Sequence, residues 1–199
     1  MGARNSQIRP DHQAILGLIT AGSSVLDLGC GTGELLELLT KEKKIRGQGI
    51  EIDDQAIYAC VAKQLNVFHG DIDSGLAEYA DNSFDYVILN QSLQQVKHFD
   101  RVFQDTLRVG RQVIVGVPNF AYYKSRLQLF FSGRAPVTPS LPYSWHESPN
   151  LHFLSILDFT DYCREQKARI GRAVYLGQRR RVFLLPNLFA NTGIFVITK

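Results

Sequence analysis

Residues 25–34 read VLDLGCGTGE. Val25, Leu26 and Leu28 form a short apolar run that predicts a buried strand, and Gly29, Gly31 and Gly33 follow it within five positions. Leu35, Leu36, Leu38 and Leu39 then recur at helical spacing. A strand, a glycine turn and a helix in this order open a βαβ unit. Ligands of such sheets bind just outside the carboxyl ends of the strands, so the turn itself is a candidate binding element.

The same alternation continues outward from this stretch. Upstream, Asp11 is placed to cap a helix carrying Ile15, Leu16, Leu18 and Ile19, with Gly22 ending it. Downstream, residues 47–52 (GQGIEI) read as a second strand, followed by a helix from Asp54 with Ile57, Cys60 and Val61 facing inward. Residues 66–69, 84–89 and 112–117 read as three more strands, with a helical pattern from Phe99 to Gly110 before the last. Ser155 with Asp158 makes a capping-box pattern for a helix over 156–167, and residues 169–176 and 194–198 read as two final strands. This order predicts an α/β chain with a doubly wound, mostly parallel, seven-stranded sheet in a three-layer sandwich. The whole of 1–199 is expected to be one domain.

Composition narrows the class. Hydrophobic residues make up 45% and charged residues 21%, the range of an ordinary globular chain. A net charge of +3 is too small to argue for nucleic acid. Cys30, Cys60 and Cys163 contain no CxxC pair, which suggests neither zinc nor a disulfide framework. No apolar run reaches the ~20 residues of a membrane span, and MGARNSQIRP lacks the apolar core of a secretory leader. The expected location is cytoplasmic. Residues 120–150 stand apart as an aromatic, Pro-rich insertion or lid.

The glycine turn does not suit a phosphate. In the dinucleotide fingerprint GxGxxG the third glycine would fall on Glu34, and no Gly-Lys-Ser/Thr follows for a P-loop. Asp27 would repel pyrophosphate but suits an ammonium or sulfonium ligand. S-Adenosylmethionine (or S-adenosylhomocysteine) fits this chemistry. Gly29, Cys30 and Gly31 let the backbone approach it, and Glu51, about twenty residues on, is placed to accept from both ribose hydroxyls. Asp71 is placed to accept from the adenine amino group, with Ile52 and Ile72 on the two adenine faces. Asn90, just after the fourth strand, completes the set of expected contacts. The competing reading of the glycines alone is a structural tight turn.

At these residues the chain resembles the S-adenosylmethionine-dependent methyltransferase superfamily, whose first three motifs VLDLGCGTG, GIEID and GDID look like. More specifically, GIEIDDQAIYACVAKQLNV, FDYVILNQSLQQV, RVGRQVIVGVPNF, RLQLFFSGRAPVTPSLPYSWHESPN and RVFLLPNL are similar to the MetW family of methionine biosynthesis proteins. The resemblance covers nearly the whole chain from Arg9 onward. It implies a Rossmann-like methyltransferase fold, S-adenosylmethionine as cofactor, and homoserine O-acyltransferase (MetX) as the partner that the chain supports. It implies no methyl acceptor.

Catalysis is a separate question. Many small-molecule methyltransferases carry a His after the fourth strand, where SLQQV places Gln95, and glutamine cannot act as a base. Tyr143, His146, Glu147 and His152 in and beside the lid are candidate bases, or else packing and partner-binding groups. Arg179, Arg180 and Arg181 read as a solvated loop, with an acidic partner or RNA as sharper readings. Two functions from different classes follow. One is a regulatory subunit of the acyltransferase, and the other is an active methyltransferase on a small molecule.

Overall fold

The computed structural model describes residues 8–178 and 180–199. The leader reading of the first seven residues and the first arginine of the tri-arginine run, Arg179, lie outside the described residues. Seven strands form one sheet: β1 (Ser24–Leu28), β2 (Arg46–Glu51), β3 (Val67–His69), β4 (Phe84–Asn90), β5 (Gly110–Pro118), β6 (Arg169–Leu176) and β7 (Thr192–Thr198). Their spatial order is β3-β2-β1-β4-β5-β7-β6. β1 to β5 pair in parallel, while β7 pairs antiparallel to both β5 and β6. The order reverses beside β1, so the ends of β1 and β4 flank a topological switch point, where ligand crevices open.

Near-continuous apolar strands are what a sheet covered on both faces requires, because successive side chains point to opposite sides. Leu26, Val87, Leu89, Val113 and Val115 pack on one face with α4 (Phe99–Val109) and α6 (Ile156–Glu165). Their neighbours Val25, Ile88 and Ile114 pack on the other with α1 (Pro10–Leu16) and α2 (Glu34–Lys43).

Three local expectations are corrected. Asp11 does not cap α1. The helix begins at Pro10, its N-cap is Arg9, and it ends at Leu16 with Gly17, not Gly22. A proline at the first turn needs no donor partner and sets the helical φ, so the Asp11 side chain is free for other bonds. In α3 (Asp54–Ala62) Cys60 is buried but Val61 is exposed. That helix covers β3, a three-residue edge strand with little surface to share. The helix after Ser155 stops at Glu165, and Lys167 lies at positive φ. The short 3₁₀ turns Ile72–Ser74 and Leu93–Gln95 and the four-residue α7 (Pro186–Phe189) carry no periodicity long enough to read from sequence.

The insertion contains α5 (Tyr123–Ser132), followed by an irregular but tethered loop. The Gln128 side chain donates to Val137 O (3.1 Å) and accepts from Val137 N–H (2.9 Å). Leu151 and His152 N–H both donate to Gln94 O, at 2.9 and 3.0 Å, and the His152 ring shares a hydrogen bond with Val96 O at 2.9 Å. The loop is thus hung from the segment that follows β4. Asn119, at the end of β5, is wholly buried and bonds in both directions. It donates to Ala190 O (2.7 Å) and accepts from Ala121 N–H (3.1 Å), which makes it a structural clasp rather than a ligand contact.

The capping box forms as the sequence suggests. Ser155 Oγ accepts from Asp158 N–H at 3.2 Å and Asp158 Oδ2 accepts from Ser155 N–H at 2.8 Å. One turn on, Phe159 is fully buried, with ring centroids 4.9 Å from Phe195 and 6.3 Å from Phe103. Ser155→Ala should lower unfolding free energy by about 1 kcal/mol, and Phe159→Ala by about 3–5 kcal/mol. Urea titration should show both as midpoint shifts with unchanged slope. Equal costs for the two would contradict this division between cap and core.

Candidate functional site

The turn after β1 is built by two constraints. Gly29 and Cys30 N–H both donate to Ile50 O, at 2.8 and 3.2 Å, which folds the chain back over β2. Gly29 has φ +72°, and a Cβ there would stand 2.8 Å from Ser92 Cβ, so the segment after β4 closes down on the turn. Gly31, at φ +54°, faces the other way: no atom lies within 4 Å of where its Cβ would be. Its backbone is open to a ligand from that side.

Gly31 N–H donates to Glu51 Oε2 at 2.7 Å. Glu51 ends β2 and is buried, and its Oε1 accepts from Ile52 N–H (2.9 Å) and Asp53 N–H (3.1 Å). A carboxylate has about four acceptor sites. Backbone amides take three of them, so Glu51 has room on Oε2 for one further donor rather than two.

Asp27 lies buried in β1. Burial, and secondarily the Glu51 charge, push its carboxyl up to about 7. Its protonation therefore changes near neutrality, as expected of a carboxylate waiting for a cation. The Cys30 thiol is pushed far above its ordinary range, chiefly by burial, and is inert at neutral pH.

Asn90, at the end of β4, donates from Nδ2 to Asp11 Oδ2 at 2.9 Å. Asp11 also receives Arg9 Nε (3.1 Å) and Nη2 (2.6 Å). Burial raises the Asp11 pKa, but the bonds from Asn90 and Arg9 outweigh it and hold the carboxyl below its usual value. This triad pins the start of α1 onto the end of β4. The other Asn90 atom, Oδ1, is buried without a hydrogen-bond partner and lies against Gly116 of β5, 2.3 Å from where a Cβ there would stand.

Arg9, His12, Asp27, Gly29, Gly31 and Asn90 surround a cavity of about 130 Å³, which Cys30 also lines. The cavity shares Arg9, His12 and Glu34 with a groove of about 660 Å³ along α2. Burial lowers the His12 pKa, keeping the ring neutral at pH 7. Arg9, Asp11 and His12 were not legible as site residues. Their only sequence signal was a helix start, and what brings them here is the packing of that helix across the switch point.

The expected residues do not all meet. Asp27, Gly29, Cys30, Gly31 and Asn90 line the cavity, and Glu51 joins it through Gly31. Ile52 stands next to Glu51 and is 59% exposed. Asp71 is exposed and accepts from Asp73 N–H (2.9 Å), while Ile72 is half-buried against the core, and neither lines the cavity. Asp73, which the sequence did not single out, joins the segments after β3 and β4 by accepting from Lys97 N–H (2.9 Å) and His98 N–H (2.8 Å).

None of the candidate bases lines this cavity. Tyr143, His146 and Glu147 are exposed, and the His152 ring is engaged with Val96 O and lies 5.3 Å from the Phe99 ring. Gln95 is exposed and donates to Gln91 O at 3.1 Å. Among the described residues no group of His, Cys, Asp and Glu is arranged to hold a metal ion. No helix among them is long and apolar enough to cross a membrane.

The fold is shared with known proteins. A crystal structure of an S-adenosylmethionine-dependent methyltransferase from Thermotoga maritima, described as a possible histamine N-methyltransferase, superposes with a TM-score of 0.70 at 18% identity. The superposition covers 95% of this chain and 87% of that one, and at this identity it speaks for the fold. A demethylmenaquinone methyltransferase of Shouchella clausii is 25% identical over 68% of this chain and 66% of its own length. The bifunctional methionine biosynthesis protein MetXA/MetW of Rhodopirellula baltica is 36% identical over 92% of this chain. This chain spans about a third of that relative's length, 32%. The family model for methionine biosynthesis protein MetW matches residues 9–197. The chain is thus a member of the MetW family of methionine biosynthesis proteins, built on the methyltransferase fold.

Proposed function

We propose that the chain binds S-adenosylmethionine in the Gly29–Asn90 cleft and acts as a methyltransferase-like subunit that associates with and supports a homoserine O-acyltransferase. The observation that carries the partner half is the bifunctional relative. Its name joins MetXA and MetW, and this chain matches about a third of it. Fusing two domains raises their effective concentration, which is useful where the domains work on each other. We place this work in the cytoplasm, where the three free, buried cysteines stay reduced.

The cleft suits the cofactor in its parts. Asp27 offers a buried carboxylate to a cation, and Gly31 leaves its outer side open. Arg9 presents a guanidinium to the same cavity, where it would meet a ligand carboxylate. Glu51 would accept one ribose hydroxyl directly, with Ile52 at the rim beside it. Asp71 and Ile72 would form the adenine end only if the ligand extends past Glu51 toward β3. When bound, the cofactor supplies a methyl group on an activated sulfonium.

A second reading, a methyltransferase acting on a small molecule, has its own support. A cavity of about 610 Å³ shares Arg9 with the cofactor cleft and also touches Asp11 and Gln91, with Pro139 and Pro142 from the insertion on its wall. An acceptor would fit there. Methyl transfer needs chiefly proximity and alignment, so the missing base is not decisive.

The decisive experiment is to co-express the chain with the homoserine O-acyltransferase, test co-purification, and assay acyl transfer with and without it. Joint elution and a rate increase are expected. An acyltransferase that neither binds nor responds would remove the first reading.

Glu51→Ala should weaken S-adenosylmethionine binding about tenfold to a hundredfold, since a hydrogen bond to a charged group contributes roughly 1.5–3 kcal/mol. Glu51→Gln should recover part of the loss, because an amide oxygen still accepts from the backbone. Calorimetric titration giving equal affinities for all three would exclude the assignment.

The pH dependence follows from Asp27. Its folded pKa is raised to about 7, so the free cleft holds a proton there below neutrality that a cationic ligand must displace. Affinity should therefore rise roughly five- to tenfold between pH 6 and 7.5. The same shift makes ionisation destabilise the unliganded fold: stability falls as pH rises from the unfolded value, near 4, through 7. Asp27→Asn should abolish both slopes. Parent affinity that is flat over this range would refute the role given to Asp27.

A further inference from the structure

Among the described residues, the most exposed large apolar side chains fall in three segments: Phe130 and Phe131 on α5, Trp145 in the Pro-rich loop, and Phe183 and Leu184 before α7. Trp145 is 79% and Phe183 88% exposed, far from what a solvated surface needs. The segments are joined by packing. Phe120, Leu129, Leu141, Tyr143, Trp145 and Phe153 line an apolar cavity of about 420 Å³, with the Phe120 and Phe153 rings 5.4 Å apart. At the start of α5, Tyr123 packs against Phe189 at 6.2 Å, which brings the end of α7 alongside. Leu185 in that turn is held at φ +48°, a conformation bulky residues avoid unless the surroundings demand it.

The charge around this surface is mostly positive. The described residues of stretches 120–150 and 178–189 contain Lys124, Arg126, Arg134, Arg180 and Arg181 against a single carboxylate, Glu147. Among the described residues no ion pair involves any of these five cations. A second copy of the chain is a poor occupant, because a two-fold contact would set this basic surface against itself. A concave apolar cavity inside a basic rim fits a folded partner that presents one protruding apolar side chain amid acidic residues.

We propose that this surface, centred on the 420 Å³ cavity, is the docking site for the homoserine O-acyltransferase, which would fill it with an apolar knob inside an acidic rim. This inference rests on the partnership proposed above. It leaves the cofactor cleft out of the contact, although both are tied to the segment after β4 through Gln94 and Ser92. Phe130 and Trp145 are the apolar anchors, and Arg134 and Arg180 steer association from the rim.

The test compares the full-length parent with Phe130→Ala/Trp145→Ala and with Arg134→Glu/Arg180→Glu, measured against the purified acyltransferase by surface plasmon resonance. The altered side chains are exposed, so thermal midpoints and S-adenosylmethionine affinity should match the parent. The apolar pair should weaken the complex thirtyfold or more, mainly by faster dissociation. The charge reversal should slow association at least tenfold at low salt, with the difference shrinking as salt rises. Parent binding that neither variant alters would overturn this surface while leaving the partnership standing. Failure of the parent to bind would overturn both. Two further outcomes would assign the surface elsewhere and overturn the proposal: parent dimers in sedimentation velocity that the apolar variant abolishes, or parent co-sedimentation with phosphatidylglycerol vesicles that it loses.

Discussion

The Glu51 carboxylate, accepting from Gly31 on one side and from Ile52 and Asp53 on the other, is the bond on which the site depends. It ties the glycine turn of β1 to the end of β2 through Gly31 N–H at 2.7 Å, and its two local amide bonds hold the carboxylate in place for that contact. Beside that tether, the turn is held by the Gly29 and Cys30 bonds to Ile50 O and by Lys63 Nζ, which donates to Thr32 O at 2.7 Å. The same carboxylate is also a candidate ligand group. Its structural work leaves one acceptor direction free, so any ligand contact is made by a group already immobilised.

Preorganisation of this kind has a cost, and it falls on Asp27. Two carboxylates buried close together raise the pKa of the one with the poorer surroundings. Glu51 is surrounded by backbone donors, whereas Asp27 sits desolvated in β1 and is pushed toward neutrality. The unpartnered Oδ1 of Asn90 is a second deficit, turned against Gly116 of β5. Both lie at the switch point of the sheet, where ligand crevices open in folds of this kind.

The insertion after β5 divides the molecule's polar and apolar tasks. Its stem is fixed by buried polar bonds: Asn119 to the segment before β7, and Gln94 O to Leu151 and His152. Its outer side leaves aromatic residues in solvent. The stem is therefore a rigid mount, and the outer side has little reason to be apolar unless something covers it. Gln94 and Ser92 belong to the one short segment between β4 and α4. The mount and the glycine turn thus share a support, which is a physical route for coupling the two.

From the sequence alone came the layered α/β fold, the seven strands and the glycine cleft, because these rest on local patterns. A period-two apolar run, a glycine cluster and a capping box each act over a few residues, and each was read with small errors of boundary. The meeting of Asp27, Glu51 and Asn90 at the glycine turn was legible for the same reason, since each directly ends or occupies a readable strand. The family segments extended that reading along the chain. Tertiary structure decided the rest. It alone brought Arg9, Asp11 and His12 over the end of β4, because the packing of α1 across the sheet spans some eighty residues of sequence separation. It left Val61 in solvent because the three-residue β3 offers α3 little surface to cover, and it spent three of the acceptor sites of Glu51 on amides. It also brought Phe153 against Phe120 and Phe189 of α7 against Tyr123 of α5, a proximity set by packing between segments far apart in the chain.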